Sequence, residues 1–240
     1  MMKSSIAYTI DLAAYSPLFT YEPLTASTCA VTGCTLTDTG TLVLPEHAPD
    51  GRTVVAIGDR AFAGRTDLRA VTLPDSVESV GRRAFAFCTS LLGIHLGAGS
   101  RLSIIGDRAF MGCERLTVLR LGRLSHLREL GRHAFAHCTR LRSVVLPEGL
   151  SELSASLFDG CTALTHIRLP ETLTTIRTAA FSACGALRTL RLPASVVAIE
   201  DCAFAWCAHL TELRLPEGAC MIAGSAFMEC VALEDVLKAG

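Results

Sequence analysis

A phenylalanine returns eight times, at Phe62, Phe85, Phe110, Phe135, Phe158, Phe181, Phe204 and Phe227, at intervals of 23, 25, 25, 23, 23, 23 and 23 residues. A fixed period in this range marks units that bury an apolar face only against the next unit, so the chain is expected to stack into a solenoid. Other columns travel with the Phe. Leu stands six residues after it, from Leu68 to Leu233. Val71, Ile94, Leu119, Val144, Ile167, Leu190, Leu213 and Val236 stand nine after it, and Leu73 to Leu215 stand eleven after it. Five before it comes Ile, Val or Leu, from Ile57 to Ile222.

Positions nine and eleven alternate like one face of a strand, and Pro or Gly follows, as at Pro74, Gly97 and Pro147. The segment around the Phe, such as residues 57 to 64, reads as one or two turns of helix, with Ala before the Phe allowing close backbone approach. Each unit is thus a short strand, a turn and a compact return. Strands of successive units pair in parallel about 4.8 Å apart.

The unit resembles that of the BspA-like, or treponemal-type, leucine-rich repeat family, approximately Ile-Gly-x-x-Ala-Phe-x-x-Cys-x-x-Leu-x-x-[Val/Ile/Leu]-x-Leu-Pro. Residues 80 to 91 and 105 to 116 are good copies, and the likeness covers about residues 40 to 240. It implies an α/β leucine-rich-repeat solenoid, right-handed, with a parallel β-sheet on the concave face and short helical turns on the convex face. Departures are the two-residue insertions in the second and third intervals, Arg65 at the first Cys position, and Ser154, Arg177, Glu200 and Ala223 where the family prefers Gly. The organisation expected is an N-terminal β-hairpin cap over residues 1–45 and a solenoid of about eight repeats over residues 46–240. In the cap, Val31 to Cys34 and Leu42 to Leu44 would be strands flanking a turn at Asp38-Thr39-Gly40. At the far end, Glu234, Asp235 and Lys238 place charge on the final strand, as an exposed edge requires.

Seven of the eleven cysteines sit three residues after a Phe (Cys88, Cys113, Cys138, Cys161, Cys184, Cys207 and Cys230), where stacking makes them a buried ladder of small apolar side chains. Cys29, Cys34, Cys202 and Cys220 stand outside it; Cys29 and Cys34 are spaced so that they could bridge, and no CxxC pair exists. His133 and His137 lie near Cys138, but they fall at variable positions of a turn and Cys138 belongs to the core column, so no metal site is expected. Phe87 and Trp206 share the column of His137 and are expected to pack on adjacent repeats.

No nucleophile, base and stabiliser occur at informative spacing, and no phosphate-binding, zinc-protease or dinucleotide motif is present, so neither an enzyme nor a cofactor is expected. A net charge of −1 argues against a nucleic-acid partner. No apolar run is long enough to span a membrane. Thr9, Asp11 and Ser16 interrupt the only candidate secretory core, which read alone places the chain in the cytoplasm, as free thiols would suit; the family resemblance implies attachment to the cell surface or secretion.

Function is therefore expected at strand positions that point away from the core. The candidates are Thr72, His95, Val118, Arg120, Val145, His166, Arg168, Arg191, Glu212 and Arg214. The N-terminal half of this face is small and apolar (Ala70, Gly93, Val118, Val145), whereas the C-terminal half stacks Arg168, Arg191 and Arg214, with Glu212, Glu171 and Glu217 as internal counter-charges. The expected role is a non-enzymatic, monomeric scaffold binding a protein or peptide on this face, and the resemblance implies bacterial adhesion. The alternative is capture of a small molecule or lipid-like ligand in an apolar pocket on the N-terminal half.

Overall fold

The computed structural model describes residues 18–36, 40–216 and 220–233. Its entry strands are β1 (Phe19–Pro23), β2 (Thr28–Cys34), β3 (Thr41–Val43) and β4 (Thr53–Ile57). Each repeat then contributes one strand of three or four residues and one of two. These are β5 (Ala70–Leu73) and β6 (Ser79–Val80), β7 (Gly93–Leu96) and β8 (Ile104–Ile105), β9 (Val118–Arg120) and β10 (Glu129–Leu130), and β11 (Ser143–Val145) and β12 (Glu152–Leu153). They continue through β13 (His166–Arg168) and β14 (Thr175–Ile176), β15 (Thr189–Arg191) and β16 (Ala198–Ile199), and β17 (Glu212–Arg214) and β18 (Met221–Ile222).

Two parallel ladders result. The longer strands pair as β3-β5-β7, β9-β11-β13 and β15-β17, and form the concave face. The two-residue strands pair as β6-β8-β10, continuing from β4, and as β12-β14-β16-β18. Between the ladders lies one core, in which the eight repeat Phe rings, Phe62 to Phe227, form a continuous stack with centroids 5.1 to 5.9 Å apart and nearly parallel planes. A further buried column stands eight residues before the Phe: Val77, Leu102, Leu127, Leu150, Leu173 and Val196.

The return segments are not helical. Among the described residues α-helix is confined to 231–233, and each return is a run of turns. Its backbone alternates between right- and left-handed conformations: Arg60, Arg83, Arg108, His133, Ser156, Ala179 and Cys202, two before the Phe, all have φ of 55 to 58°. The residues two after it are left-handed as well, from Gly64 at 75° to Trp206 at 58°. This alternation turns every second amide toward the next repeat. Arg60 N donates to Arg82 O (2.9 Å), Phe62 N to Ala84 O (2.8 Å) and Gly64 N to Ala86 O (2.7 Å), while the intervening amides close turns, as Ala61 N does on Gly58 O (3.3 Å). A helix would keep all of those bonds inside the segment. Stacking therefore supplies backbone partners that an isolated repeat lacks, and holds non-glycine residues in a conformation costing roughly 1–2 kcal/mol each.

The cap also differs from the expected hairpin. β2 pairs antiparallel with β1, from Phe19↔Cys34 to Pro23↔Cys29, and parallel with β4, whereas β3 pairs with β5. Val31 and Leu42 are both buried but serve different ladders, Val31 beside Ile57 and Leu42 beside Val71. The segment thus behaves as an incomplete repeat, its two apolar stripes each joining the ladder they match. Asp38 and Thr39 of the expected turn, with Glu217, Glu234, Asp235, Val236 and Lys238, lie outside the described residues.

Candidate functional site

All eleven cysteines are free. Those of the column are buried, and each thiol donates to the carbonyl of the Phe one repeat back: Cys88 Sγ to Phe62 O at 3.2 Å, Cys138 Sγ to Phe110 O at 3.3 Å, Cys184 Sγ to Phe158 O at 3.3 Å. Cysteine fits because it fills a small apolar slot and offers one weak donor to a buried acceptor. Burial raises the thiols, Cys88 to about 12 and Cys113, Cys138 and Cys161 well above their usual value, so they stay protonated. At about pH 8 a thiol reagent should modify native protein only at the half-buried Cys34, Cys202 and Cys220, and all eleven after denaturation. Rapid native modification of the column, read by peptide mass mapping, would contradict this packing. Because Cys138 points into the core, it is not available beside His133 and His137.

On the concave face the register is Val118↔Ser143↔His166 and Arg120↔Val145↔Arg168, and in the next sheet Thr189↔Glu212 and Arg191↔Arg214. A groove of about 470 Å³ crosses β11, β13 and β15, lined among others by Val145, His166, Arg168, Glu171, Thr189 and Arg191. A hollow of about 220 Å³ continues it over β15 and β17, along Thr189, Arg191, Glu212 and Arg214. Six of the ten candidates therefore share one continuous depression: Val145, His166, Arg168, Arg191, Glu212 and Arg214. Val118 and Arg120 occupy the neighbouring strand of the same sheet, and Thr72 and His95 face each other on the separate β3-β5-β7 sheet. The apolar N-terminal positions Ala70, Gly93 and Val118 do not line the groove.

Counter-charge in the depression is sparse. Arg214 Nε meets Glu212 Oε1 at 3.0 Å, an exposed pair of the kind worth at most about 1 kcal/mol. Glu171 lines the groove, but among the described residues Arg120, Arg168 and Arg191 make no ion pair. His166 Nδ1 lies 2.8 Å from Thr165 Oγ1, which orients its ring. The arrangement suits an anionic group flanked by apolar contact.

A second hollow, of about 490 Å³, lies on the short-strand side between Arg132, Glu152, Ser154, Arg177 and Glu200. There Arg177 bridges Glu152 (2.7 Å) and Glu200 (2.8 Å), and Glu200 also accepts from Thr178 N at 2.9 Å. Burial pushes the Glu200 carboxyl up, but the Arg177 and Thr178 bonds outweigh it and hold the group below its ordinary range. The charges of Arg177, Glu152 and Glu200 are thus satisfied within this hollow, while Arg132 makes no ion pair among the described residues. Reading the sequence for strand-face residues passed over the return-segment column of Arg60, Arg83 and Arg108, although it recurs at the same intervals as the Phe.

A family model, the BspA type leucine rich repeat region, matches residues 49–147 and 128–238 in six copies. The chain belongs to this BspA-type leucine-rich repeat family. Its repeats are similar to those of a leucine rich cell surface protein from Faecalibacterium prausnitzii A2-165, at 30% identity and a TM-score of 0.74, covering 88% of this chain and 55% of that one. The chain thus spans little more than half the length of that relative. A leucine rich repeat protein of T. pallidum is 31% identical over 93% of this chain and 92% of its own, with a TM-score of 0.64. A leucine-rich repeat protein from Eubacterium ventriosum, 19% identical over 79% of this chain and 58% of its own at a TM-score of 0.63, shares the fold. Comparison with curated proteins yields no match. BspA-type repeats are scaffolds, and among the described residues no helix is long and apolar enough to cross a membrane.

Proposed function

We propose that this BspA-type solenoid binds a protein or peptide in the groove over β11, β13 and β15, with an acidic part of the partner on Arg168, Arg191 and Arg214 and an apolar part against Val145 and, beyond the groove on the neighbouring strand β9, Val118. The observation that carries the reading is a pair of neighbouring arginines, Arg168 and Arg191, lining a hollow without an ion pair of their own among the described residues. Guanidinium groups suit carboxylates because they donate two parallel hydrogen bonds. The Faecalibacterium relative is described as a cell surface protein, which supports a role in adhesion.

The test uses fluorescent peptides that combine acidic with aliphatic residues, selected for binding to the wild-type chain. The variant R168E/R191E/R214E should bind them at least about tenfold more weakly, roughly 1.4 kcal/mol or more. Unchanged affinity in a folded variant rejects this site.

A further inference from the structure

The hydrogen-bond ladder of the concave face is interrupted between β13 and β15. At paired boundaries the Leu that follows a long strand donates to the next rung, as Leu146 N does to Arg168 O (3.2 Å) and Leu192 N to Arg214 O (3.0 Å). The residue entering a strand donates back, as Thr165 N does to Arg142 O (3.1 Å) and Thr211 N to Arg188 O (2.9 Å). Between β13 and β15 the equivalent bonds, from Leu169 N to Arg191 O and from Arg188 N to Thr165 O, are not made. Across the core the same two rungs stay joined: β12 pairs with β14, Phe158 N donates to Ala180 O (2.8 Å) and Gly160 N to Ser182 O (2.9 Å). The rungs therefore part only on the concave side. Ile167, at this seam, is partly exposed, whereas Val144 and Leu190 of the same column on the flanking rungs are buried.

Chain length does not account for the seam, because β13 and β15 stand at the same 23-residue interval as β15 and β17, which pair. Charge distinguishes the boundaries. Val145 separates Arg120 from Arg168 in the β9-β11-β13 register, and Arg191 lies opposite an Arg214 whose guanidinium is engaged by Glu212 at 3.0 Å. Arg168 and Arg191 hold the same position on adjoining rungs, and among the described residues neither they nor Glu171, which lines the groove, make an ion pair. Like charges side by side on neighbouring strands oppose pairing. The groove of about 470 Å³ lies over this boundary.

We propose that the seam is a closable anion site: an acidic side chain of the partner, set between Arg168 and Arg191, removes their repulsion and lets β13 and β15 pair. Binding then joins β9 to β17 in one sheet, with the short-strand and return ladders acting as the hinge. This rests on the reading that the partner's acidic part sits on these arginines, and adds that its binding changes the scaffold. A carboxylate suits the place because it accepts from two guanidinium groups at once. A basic or wholly apolar segment leaves the repulsion in place.

Hydrogen exchange of the full chain at constant pH, read by mass spectrometry over residues 165–169 and 188–192, tests the seam. R168E sets a carboxylate of the chain itself against Arg191 and should slow exchange in both segments about fivefold or more, with no ligand present. R168E/R191E restores like charge and should exchange as wild type does, which separates charge from side-chain size. Hexaglutamate, with its binding followed by anisotropy of a labelled copy, should slow the same segments of wild type and leave R168E/R191E unaffected. Equal exchange in wild type and R168E overturns the proposal. Hexaglutamate that binds wild type without slowing either segment overturns closure by the ligand and leaves the acidic partner standing. Failure of hexaglutamate to bind overturns both.

Discussion

Replacing Phe158 by alanine is expected to lower stability by about 3–5 kcal/mol, the range for removing a buried aromatic from a core that cannot collapse onto the gap. Phe158 is fully buried, and its ring lies between those of Phe135 and Phe181 at 5.9 and 5.7 Å. The surrounding backbone is held on both sides: Phe158 N donates to Ala180 O, Phe135 N donates to Leu157 O, and the carbonyl of Phe158 accepts from Cys184 Sγ. Those bonds fix the rung spacing and keep the cavity open. In a one-dimensional stack the loss falls on two nearest-neighbour interfaces in mid-array. The urea midpoint should therefore fall and the slope with it, because the two halves begin to unfold separately. Phe227→Ala, at the partly buried end of the stack, should cost clearly less. A Phe158→Ala midpoint equal to wild type would refute this account of the core.

The columns of Phe, Leu and Cys were legible because apolar burial leaves a period in the sequence, and stacking forces that period to be the repeat length. The conformation of the return segment was not. Its composition suits a short helix, and the signal that opposes a helix, alternate amides directed to the next repeat, belongs to no single segment. Left-handed backbone usually announces itself through Gly or Asn, yet here Arg60, Phe87, His137 and Trp206 adopt it because neighbours supply the hydrogen bonds. The cap misled for a related reason: Val31 and Leu42 lie close in sequence, but parallel pairing sends them to different ladders.

For the candidate site, strand alternation identified which residues leave the core on the concave face. It did not indicate where that face is hollow. The groove spans β11, β13 and β15, so Arg168 shares it with Val145 and Arg191, whereas the break in the longer-strand ladder between β7 and β9 leaves Thr72 and His95 on another sheet. Such breaks depend on loop geometry, including the two-residue insertions at about residues 97–101 and 122–126, to which a hydrophobic pattern is blind.

The same reasoning makes Gly131→Ala the second large effect, at roughly 2–3 kcal/mol, the upper part of the range for forcing an added methyl into a packed interior. Four residues before each Phe, the early repeats carry Gly58, Gly81, Gly106 and Gly131, and there one backbone lies directly on the next. A Cβ on Gly131 would meet Asp107 N and stand 2.5 Å from the Gly106 carbonyl carbon, both backbone atoms that no rotamer can move aside. To admit it, the rungs must part, which lengthens Gly131 N to Ile105 O (2.7 Å) and Arg132 N to Asp107 Oδ1 (2.8 Å). From the next rung on the column carries side chains, Ser154, Arg177, Glu200 and Ala223, along the separate β12-β14-β16-β18 ladder, so the close backbone approach belongs to the glycine rungs. Gly185→Ala is the control, since its Cβ would meet nothing within 4 Å, and it should leave the urea midpoint nearly unchanged. Equal midpoints for the two variants would show that the glycine column does not set the approach of the rungs.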